Sequence, residues 1–573
     1  MSKSKQQIGH PQRLAFVKGL MLLAVVALLW RMGELNLNQR DFLQGQGDAR
    51  TLRVVAIPAD RGMIADRNGE PLAISSPVES IWAQPQDLAG VPERWDELAS
   101  ALGVDARLLA RRIEQRQQRE FIWLRRHLNP EHAEQVMALE IDGVATQREY
   151  RRFYPMGEVI GHVVGFTNID DVGQEGVELM MESSLRGTPG SKRVLRDRYG
   201  RVIQDVESIS EPRPGKDLQL SIDRRVQYLA YRELKTAVQR HRALGGSAVV
   251  LDVTTGEVLA MVNQPAFNPN NRADLDSRRF RNRAMTDVLE PGSTMKPFTI
   301  VAALESGRFR ADTPVDTSPG MMRLASFTIR DIRDYGKMDV TEVLQKSSNV
   351  GASRIALALE PKHLWDTFVR FGFGYDSASR YPGEAQGRLL SWRDWREVEQ
   401  ATISYGYGLS VTPLQLARAY ATLGDEGRQR PVSFLKLERH ALPRHEQVID
   451  PKIAREVVKM LEEAVQDGGT GTRARVAGYR VAGKTGTVRK ATRGGYDDDL
   501  YLSVFAGLAP ASRPRLAMVV VIDGADDGDY YGGVVAAPVF SRVMEGALRL
   551  LDVPPDELDT LEGIRVAAMG EQQ

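Results

Sequence analysis

The chain has 573 residues, 42% of them hydrophobic and 26% charged, with a net charge of +1 and no cysteine. That length exceeds one ordinary domain, and the composition is that of a folded protein rather than a disordered one. The near-neutral charge gives no bulk pull toward nucleic acid. The lack of cysteine excludes disulfides, thiolate metal sites and a cysteine nucleophile.

In chain order, the basic residues Lys3, Lys5, Arg13 and Lys18 come first, with no acid among them. An apolar segment spans Leu14–Trp30, at the short end of the ~17–25 residues that cross a bilayer. Lys18 can snorkel to the headgroups, and Trp30 suits the far interface. The basic flank predicts a cytoplasmic N-terminus with the rest of the chain outside. Arg31, Met32 and Glu34 follow in place of a small-residue cleavage site, so an uncleaved anchor is expected rather than a signal peptide. A buried core helix is the remaining account of the segment.

Residues 36–215 carry no metal-ligand spacing and no acids paired for catalysis. A scaffold is expected there. Arg61–Gly69 reads as a short strand bounded by turns, Asn68-Gly69 being a strong turn signal. Helices are predicted over Arg94–Leu102 and Ala106–Arg119, the second capped by Asp105. Beyond Ile113 that stretch is Arg- and Gln-rich, which marks a solvated face. From Arg151 to Gly190, glycines punctuate short elements. The polar run Glu211–Lys216 marks a domain boundary.

From residue 216 the pattern is that of one α/β (α+β) domain. Asp223 caps a helix whose apolar positions Val226, Leu229, Ala230, Leu234 and Val238 recur at helical spacing. Ser247–Val253 and Glu257–Asn263 are apolar runs joined by a three-residue turn, a hairpin signature. Tyr501–Leu508 and Arg515–Ile522 form a second pair of strands. Ala537–Leu551 is a closing amphipathic helix. Early and late strands with helices between them predict a mixed sheet with an inserted helical lobe.

The chemistry centres on Ser293 and Lys296, between the Pro291-Gly292 turn and an apolar run. A helix starting at Ser293 puts the two side chains on one face, about 5–6 Å apart. A neutral amine beside a serine can activate its hydroxyl. Alone, Ser293 is explained as well by an N-cap, Ser347-Ser348-Asn349 by a cap or turn, and Lys484-Thr485-Gly486-Thr487 by a strand end. In order and within one domain, the three are a specific conjunction. Gly478–Thr485 also fits the nucleotide-binding pattern G-x-x-x-x-G-K-T. No buried strand precedes it, however, and Gly486-Thr487-Val488 starts a helix poorly. The eight histidines include no H-E-x-x-H.

With the anchor, Arg61–Gly69, Arg152–Pro155, Gly406–Pro413 and Tyr531-Gly532-Gly533, these motifs resemble the class B penicillin-binding proteins. The match is nearest the cell-division peptidoglycan D,D-transpeptidase (FtsI) family, over roughly residues 14–550. The resemblance implies a penicillin-binding/serine β-lactamase-like transpeptidase domain on an elongated α+β pedestal. Its boundaries would be a cytoplasmic tail at 1–13, an anchor at 14–34, a dimerisation-type pedestal at 50–214, the transpeptidase domain at 216–555 and a tail at 556–573.

It further implies that Ser293 attacks the carbonyl between two D-alanines while Lys296 takes its proton. Ser347 would bridge Lys296 and Lys484 and relay a proton to the departing D-alanine. Lys484 would help keep Lys296 neutral. Asn349 would bind the substrate amide, Thr485, Gly486 and Thr487 its carboxylate end, and the N–H groups of Ser293 and Thr487 the oxyanion. Tyr407 would form a cleft wall. Tyr501, Tyr530 and Tyr531 are candidates for the same wall, with core or turn packing as the competing account.

No cofactor or metal is implied. The implied partners are peptidoglycan stem peptides, β-lactams, a septal glycosyltransferase of the FtsW type and other divisome membrane proteins. The implied location is the cell inner membrane, single-pass, with a periplasmic catalytic domain. The competing functions are an elongation-type transpeptidase, a D,D-carboxypeptidase or β-lactamase in which water deacylates Ser293, and a silent scaffold.

Overall fold

The computed structural model describes residues 11–35, 52–196, 202–271, 276–438, 440, 442–492, 495–526 and 528–557. The expected tail up to residue 10, the pedestal's first two residues and the end of the C-terminal tail lie outside them. The described chain gathers into two units. One comprises Met1–Asp60, Pro77–Tyr150 and Gly187–Pro214, the other Arg61–Ser76, Arg151–Arg186 and Gly215–Gln573.

The first unit begins with the helix Pro11–Gly33, 23 residues long. At about 1.5 Å per residue such a helix spans the ~30 Å of a hydrocarbon core. Its Leu14–Gly33 portion has a mean hydropathy of 2.0 and none of it is buried. A small core (Ile81, Leu98, Leu102, Leu109, Ile113, Leu124 and Val136 among its members) lies between helices Trp95–Leu102, Ala106–Glu114 and Pro130–Met137 and the pairing of residues 79–83 with 122–128. Asp105 caps the second helix as expected, accepting from the Leu108 N–H at 2.9 Å. That helix stops at Glu114, not Arg119. Past Ile113 no apolar side chain remains to hold another turn against the core, and packing of an apolar face supplies most helical stability.

The second unit is built on five antiparallel strands: β1 (Gly245–Asp252), β2 (Val258–Gln264), β3 (Ala482–Thr492), β4 (Gly495–Ala509) and β5 (Leu516–Asp523). Their order across the sheet is β2-β1-β5-β4-β3, which leaves β3 at an edge. Successive side chains of a strand point to opposite faces. Val249, Leu251, Val504, Val519 and Val521 join one core, with Phe298, Val301 and Tyr420 of the helices on that side. Ala248, Val250, Phe505, Val520 and Ile522 join another, under helices Arg224–Arg240 and Ala537–Leu550. Burial on both faces is why these strands read as unbroken apolar runs instead of an alternation. Mixed pairing occurs in a separate sheet, where Ile64–Ala65 runs antiparallel to residues 71–73 and parallel to Leu218–Gln219.

Residues 61–76 and 151–186 pack within this second unit. They are fixed there by Glu178, whose side chain is fully buried between Arg61 Nη2 at 2.7 Å and Arg152 Nε at 2.7 Å. Arg61 also reaches Glu182 at 2.7 Å.

Candidate active site

The nucleophile turn is a 3-10 segment, Gly292–Met295, and the α-helix proper begins at Lys296. The expected helix start at Ser293 is therefore corrected by one turn. The effect on geometry is favourable, because a 3-10 turn eclipses side chains i and i+3. Lys296 Nζ lies 2.9 Å from Ser293 Oγ. Gly292 has φ +56°, and a Cβ there would sit 2.4 Å from Val488 Cγ2, so the turn packs directly on strand β3. Thr294 O accepts from the Tyr420 hydroxyl at 2.9 Å, which anchors the turn from below.

Ser347-Ser348-Asn349 comes from the helical lobe. Ser347 adopts φ +63°, a left-handed conformation that costs a non-glycine residue about 1–3 kcal/mol. Two features hold it. Ser348 caps the helix Asn349–Leu357, accepting from the Gly351 N–H at 2.8 Å. Asp331 then accepts from Ser348 Oγ at 2.5 Å, the Asn349 N–H at 2.5 Å and the Val350 N–H at 3.1 Å. The strained residue turns its carbonyl to Lys296 Nζ at 2.6 Å and its hydroxyl at 3.2 Å. Asn349 Oδ1 lies 2.8 Å from the same nitrogen.

Lys296 is fully buried. Its pKa falls well below 10.5, first through burial and second through the nearby Lys484, with Asp331 opposing. A neutral amine has two N–H groups and one lone pair. The Ser347 carbonyl and Asn349 Oδ1 can only accept, so they take the two N–H groups. The lone pair is left for the Ser293 hydroxyl. The set of contacts thus fits a base poised to receive the serine proton.

Lys484 lies within edge strand β3, fully buried, and burial pushes its pKa down to about 7. Its Nζ contacts Thr470 Oγ1 at 3.3 Å, Thr485 O at 3.3 Å and Thr485 Oγ1 at 3.4 Å. Of the two lysines, Ser347 hydrogen-bonds Lys296, while Lys484 meets the hydroxyl of Thr470. With Lys484 inside a strand that continues to Thr492, the nucleotide-loop pattern lacks its strand-turn-helix context. A Cβ at Gly486 would lie 2.9 Å from Pro291 O, so glycine lets the strand pass against the nucleophile turn. Thr485 Oγ1 is 2.7 Å from Thr470 Oγ1, and Thr487 Oγ1 accepts from the Gly532 N–H at 3.0 Å.

Ser293, Ser347, Asn349, Tyr407, Thr485 and Thr487 line one cavity of about 710 Å³. Tyr407 follows Gly406, where a Cβ would lie 2.1 Å from Gly292 O. Burial, then the Glu290 charge, raises its hydroxyl pKa. Tyr501, Tyr530 and Tyr531 line this cavity too, as a stack with centroids 4.0 and 4.7 Å apart. Sequence reasoning missed Asp331 and Thr470. Asp331 sits among alternating Arg and Asp residues and Thr470 among alternating Gly and Thr, and neither has a spacing that points to the site.

A strained serine, a buried amine and a serine hydroxyl in its reach are the equipment of a serine acyltransferase. Residues 246–545 match the penicillin binding protein transpeptidase domain, and residues 56–220 the penicillin-binding protein dimerisation domain. The chain belongs to the penicillin-binding protein transpeptidase family. It is 45% identical to the peptidoglycan D,D-transpeptidase FtsI of Escherichia coli (strain K12), over 97% of this chain and 96% of that one. It is 40% identical to the probable peptidoglycan D,D-transpeptidase PenA of Neisseria gonorrhoeae, over 99% and 98% of the two chains. Among solved structures, the apo transpeptidase domain of Burkholderia pseudomallei penicillin-binding protein 3 covers 59% of this chain and 97% of its own, with TM-score 0.55 and 44% identity. A peptidoglycan synthetase from Bifidobacterium adolescentis covers 88% and 98%, with TM-score 0.70; its 24% identity carries the fold alone.

Proposed function

We propose that this chain is a serine D,D-transpeptidase of the FtsI type that cross-links peptidoglycan stem peptides at the septum and is acylated by β-lactams. The observation that carries it is the buried Lys296 amine, 2.9 Å from Ser293 Oγ with two carbonyl oxygens taking its N–H groups.

Ser293 Oγ attacks the carbonyl between two D-alanines as Lys296 takes its proton. The N–H groups of Ser293 and Thr487 stabilise the oxyanion, each such donor contributing about 3–4 kcal/mol in related chemistry. The C–N bond breaks, and the departing D-alanine nitrogen receives the proton from Lys296 by way of Ser347. Asn349 orients the substrate amide, and its Oδ1 accepts from Lys296 Nζ at 2.8 Å, which supports a second role in holding the base. Thr485, Gly486 and Thr487 hold the terminal carboxylate in the field of Lys484, and Tyr407 walls the cleft.

The domain reading stays as 14–34 for an anchor with the N-terminus in the cytoplasm, 50–214 for the pedestal and 216–555 for the periplasmic catalytic domain. Support for the anchor is an exposed apolar helix of sufficient length. A membrane glycosyltransferase of the FtsW type and other divisome proteins are the partners this reading expects.

Labelled penicillin tests the nucleophile: it is expected to attach covalently to the protein and not to Ser293→Ala. Persistent labelling of that variant would assign the acyl group to another residue.

A further inference from the structure

A terminal carboxylate has two oxygens, and edge strand β3 presents two hydroxyls to the cleft, those of Thr485 and Thr487. Resting on the transpeptidase reading above, we propose that Thr470, outside all three motifs, is a positioning residue. Its hydroxyl turns Thr485 into a hydrogen-bond donor and so makes the site select donor peptides that end in a free carboxylate.

Thr470 stands on the strap between the helix Pro451–Glu463 and the 3-10 turn Thr472–Ala474. The strap is held from three sides. Ala464 O accepts from the Gly471 N–H at 2.9 Å. Gly468 O accepts from Lys346 Nζ at 3.0 Å, which ties the strap to the residue before Ser347. A Cβ at Gly533 would lie 2.4 Å from Thr470 O, so the Tyr531-Gly532-Gly533 stretch closes on the strap's backbone. From this fixed backbone the Thr470 side chain reaches two residues of β3. Its Oγ1 lies 2.7 Å from Thr485 Oγ1 and accepts from Lys484 Nζ at 3.3 Å.

A hydroxyl has one hydrogen to give and two lone pairs to receive with. Thr487 Oγ1 receives the Gly532 N–H at 3.0 Å, which leaves its hydrogen for the cleft. Thr470 does for Thr485 what Gly532 does for Thr487. A bound carboxylate favours Lys484 as an ammonium, which can only donate. Thr470 Oγ1 takes one of those hydrogens and passes its own to Thr485 Oγ1. The Thr485 hydrogen is then left for the cleft. Donors aligned in one direction polarise each other, so the charge of Lys484 is felt at the cleft surface. Thr485 and Thr487 are two apart on the strand and share a face. They offer two hydrogens to the two oxygens of a carboxylate, and hydrogen bonds to an ionised acceptor are the strong ones. An ester in the same place carries no charge to reward them. Without the Thr470 hydroxyl, Thr485 Oγ1 keeps a contact of 3.4 Å to Lys484 Nζ but loses the short one that orients it.

The test uses the full chain in detergent and two thioester donors, one ending in a free carboxylate and the other in its methyl ester. Thr470→Val removes the hydroxyl at nearly constant volume, and Thr470→Ser keeps it. Active sites are counted with labelled penicillin, so a misfolded fraction does not enter the rates. The wild type is expected to favour the carboxylate donor about 100-fold in kcat/KM. Thr470→Val is expected to lower that preference about tenfold, chiefly through a higher KM for the carboxylate donor. Thr470→Ser is expected to keep the preference within about twofold of the wild type. An equal fall for both donors would overturn the proposal and make Thr470 a support of the strand only. So would an undiminished preference in Thr470→Val, a serine variant that behaves like the valine one, or a wild type that turns over both donors alike. Failure of penicillin to acylate the wild type, seen before any donor is added, would overturn the transpeptidase reading instead.

Discussion

Glu178 and Lys296 are both ionisable side chains cut off from water, and the chain surrounds them in opposite ways. Glu178 has two arginines, at 2.7 Å each, so its charge is matched. Lys296 has a second buried lysine as its stronger charged neighbour, Asp331 opposing it more weakly, and only neutral oxygens in contact. A matched buried charge holds segments together. An unmatched one gives up its proton, and a neutral amine at Ser293 is what acyl transfer requires. Burial alone is thus no mark of function; the sign of the company is.

Removing each group should therefore fail differently. Lys296→Met is expected to slow penicillin acylation by about 10²–10⁴-fold, the usual contribution of a general base. Its stability should hold or rise at neutral pH. The sign follows from the lowered pKa: below 10.5 the unfolded chain binds the lysine proton that the folded state refuses, so the wild type gains stability as pH rises toward that value. Stopped-flow acylation and thermal melting read the two effects. Glu178→Ala should do the reverse, losing about 3–5 kcal/mol by stranding the buried Arg152 and leaving Arg61 with Glu182 alone. The folded fraction should still acylate at near the normal rate.

Asp331→Ala lies between these cases. It frees the Asn349 and Val350 N–H groups and the cap serine, at a cost of about 1–3 kcal/mol. It also loosens Ser347, so acylation should fall more than Tm would suggest. A fall in Tm without a change in acylation would make Asp331 a fold residue only.

The smallest expected effect separates the two regions by pH. Asp171, beside the Glu178 cluster, has its pKa raised from 3.8 to about 6, chiefly by burial. Between those values the folded state binds the proton more tightly than the unfolded chain, so this group's contribution falls as pH rises through that window. Asp171→Asn should raise Tm at neutral pH and leave it unchanged near pH 4, relative to the wild type. Its φ of +58° suits asparagine.

Much of this was legible in the sequence. The apolar runs at 247–253 and 515–522 announced strands, and Asp105 and Asp223 sit where the cap rule put them. The three motifs converge on one cavity. Less legible was whatever depends on contacts distant in sequence. Asp331 acts on a helix that starts 18 residues later, and Thr470 meets Lys484 across 14. The union of 61–76 and 151–186 through Glu178 leaves no local pattern at all. The 3-10 turn at Ser293 escaped because Gly292 packs against Val488, a residue distant in sequence on strand β3.

The measurement that bears most directly on the central claim is the pH dependence of penicillin acylation. If burial and Lys484 keep Lys296 neutral, the rising limb of the rate should end well below 10.5. A rate still climbing tenfold per pH unit as the pH nears about 10, the ordinary lysine range, would contradict it.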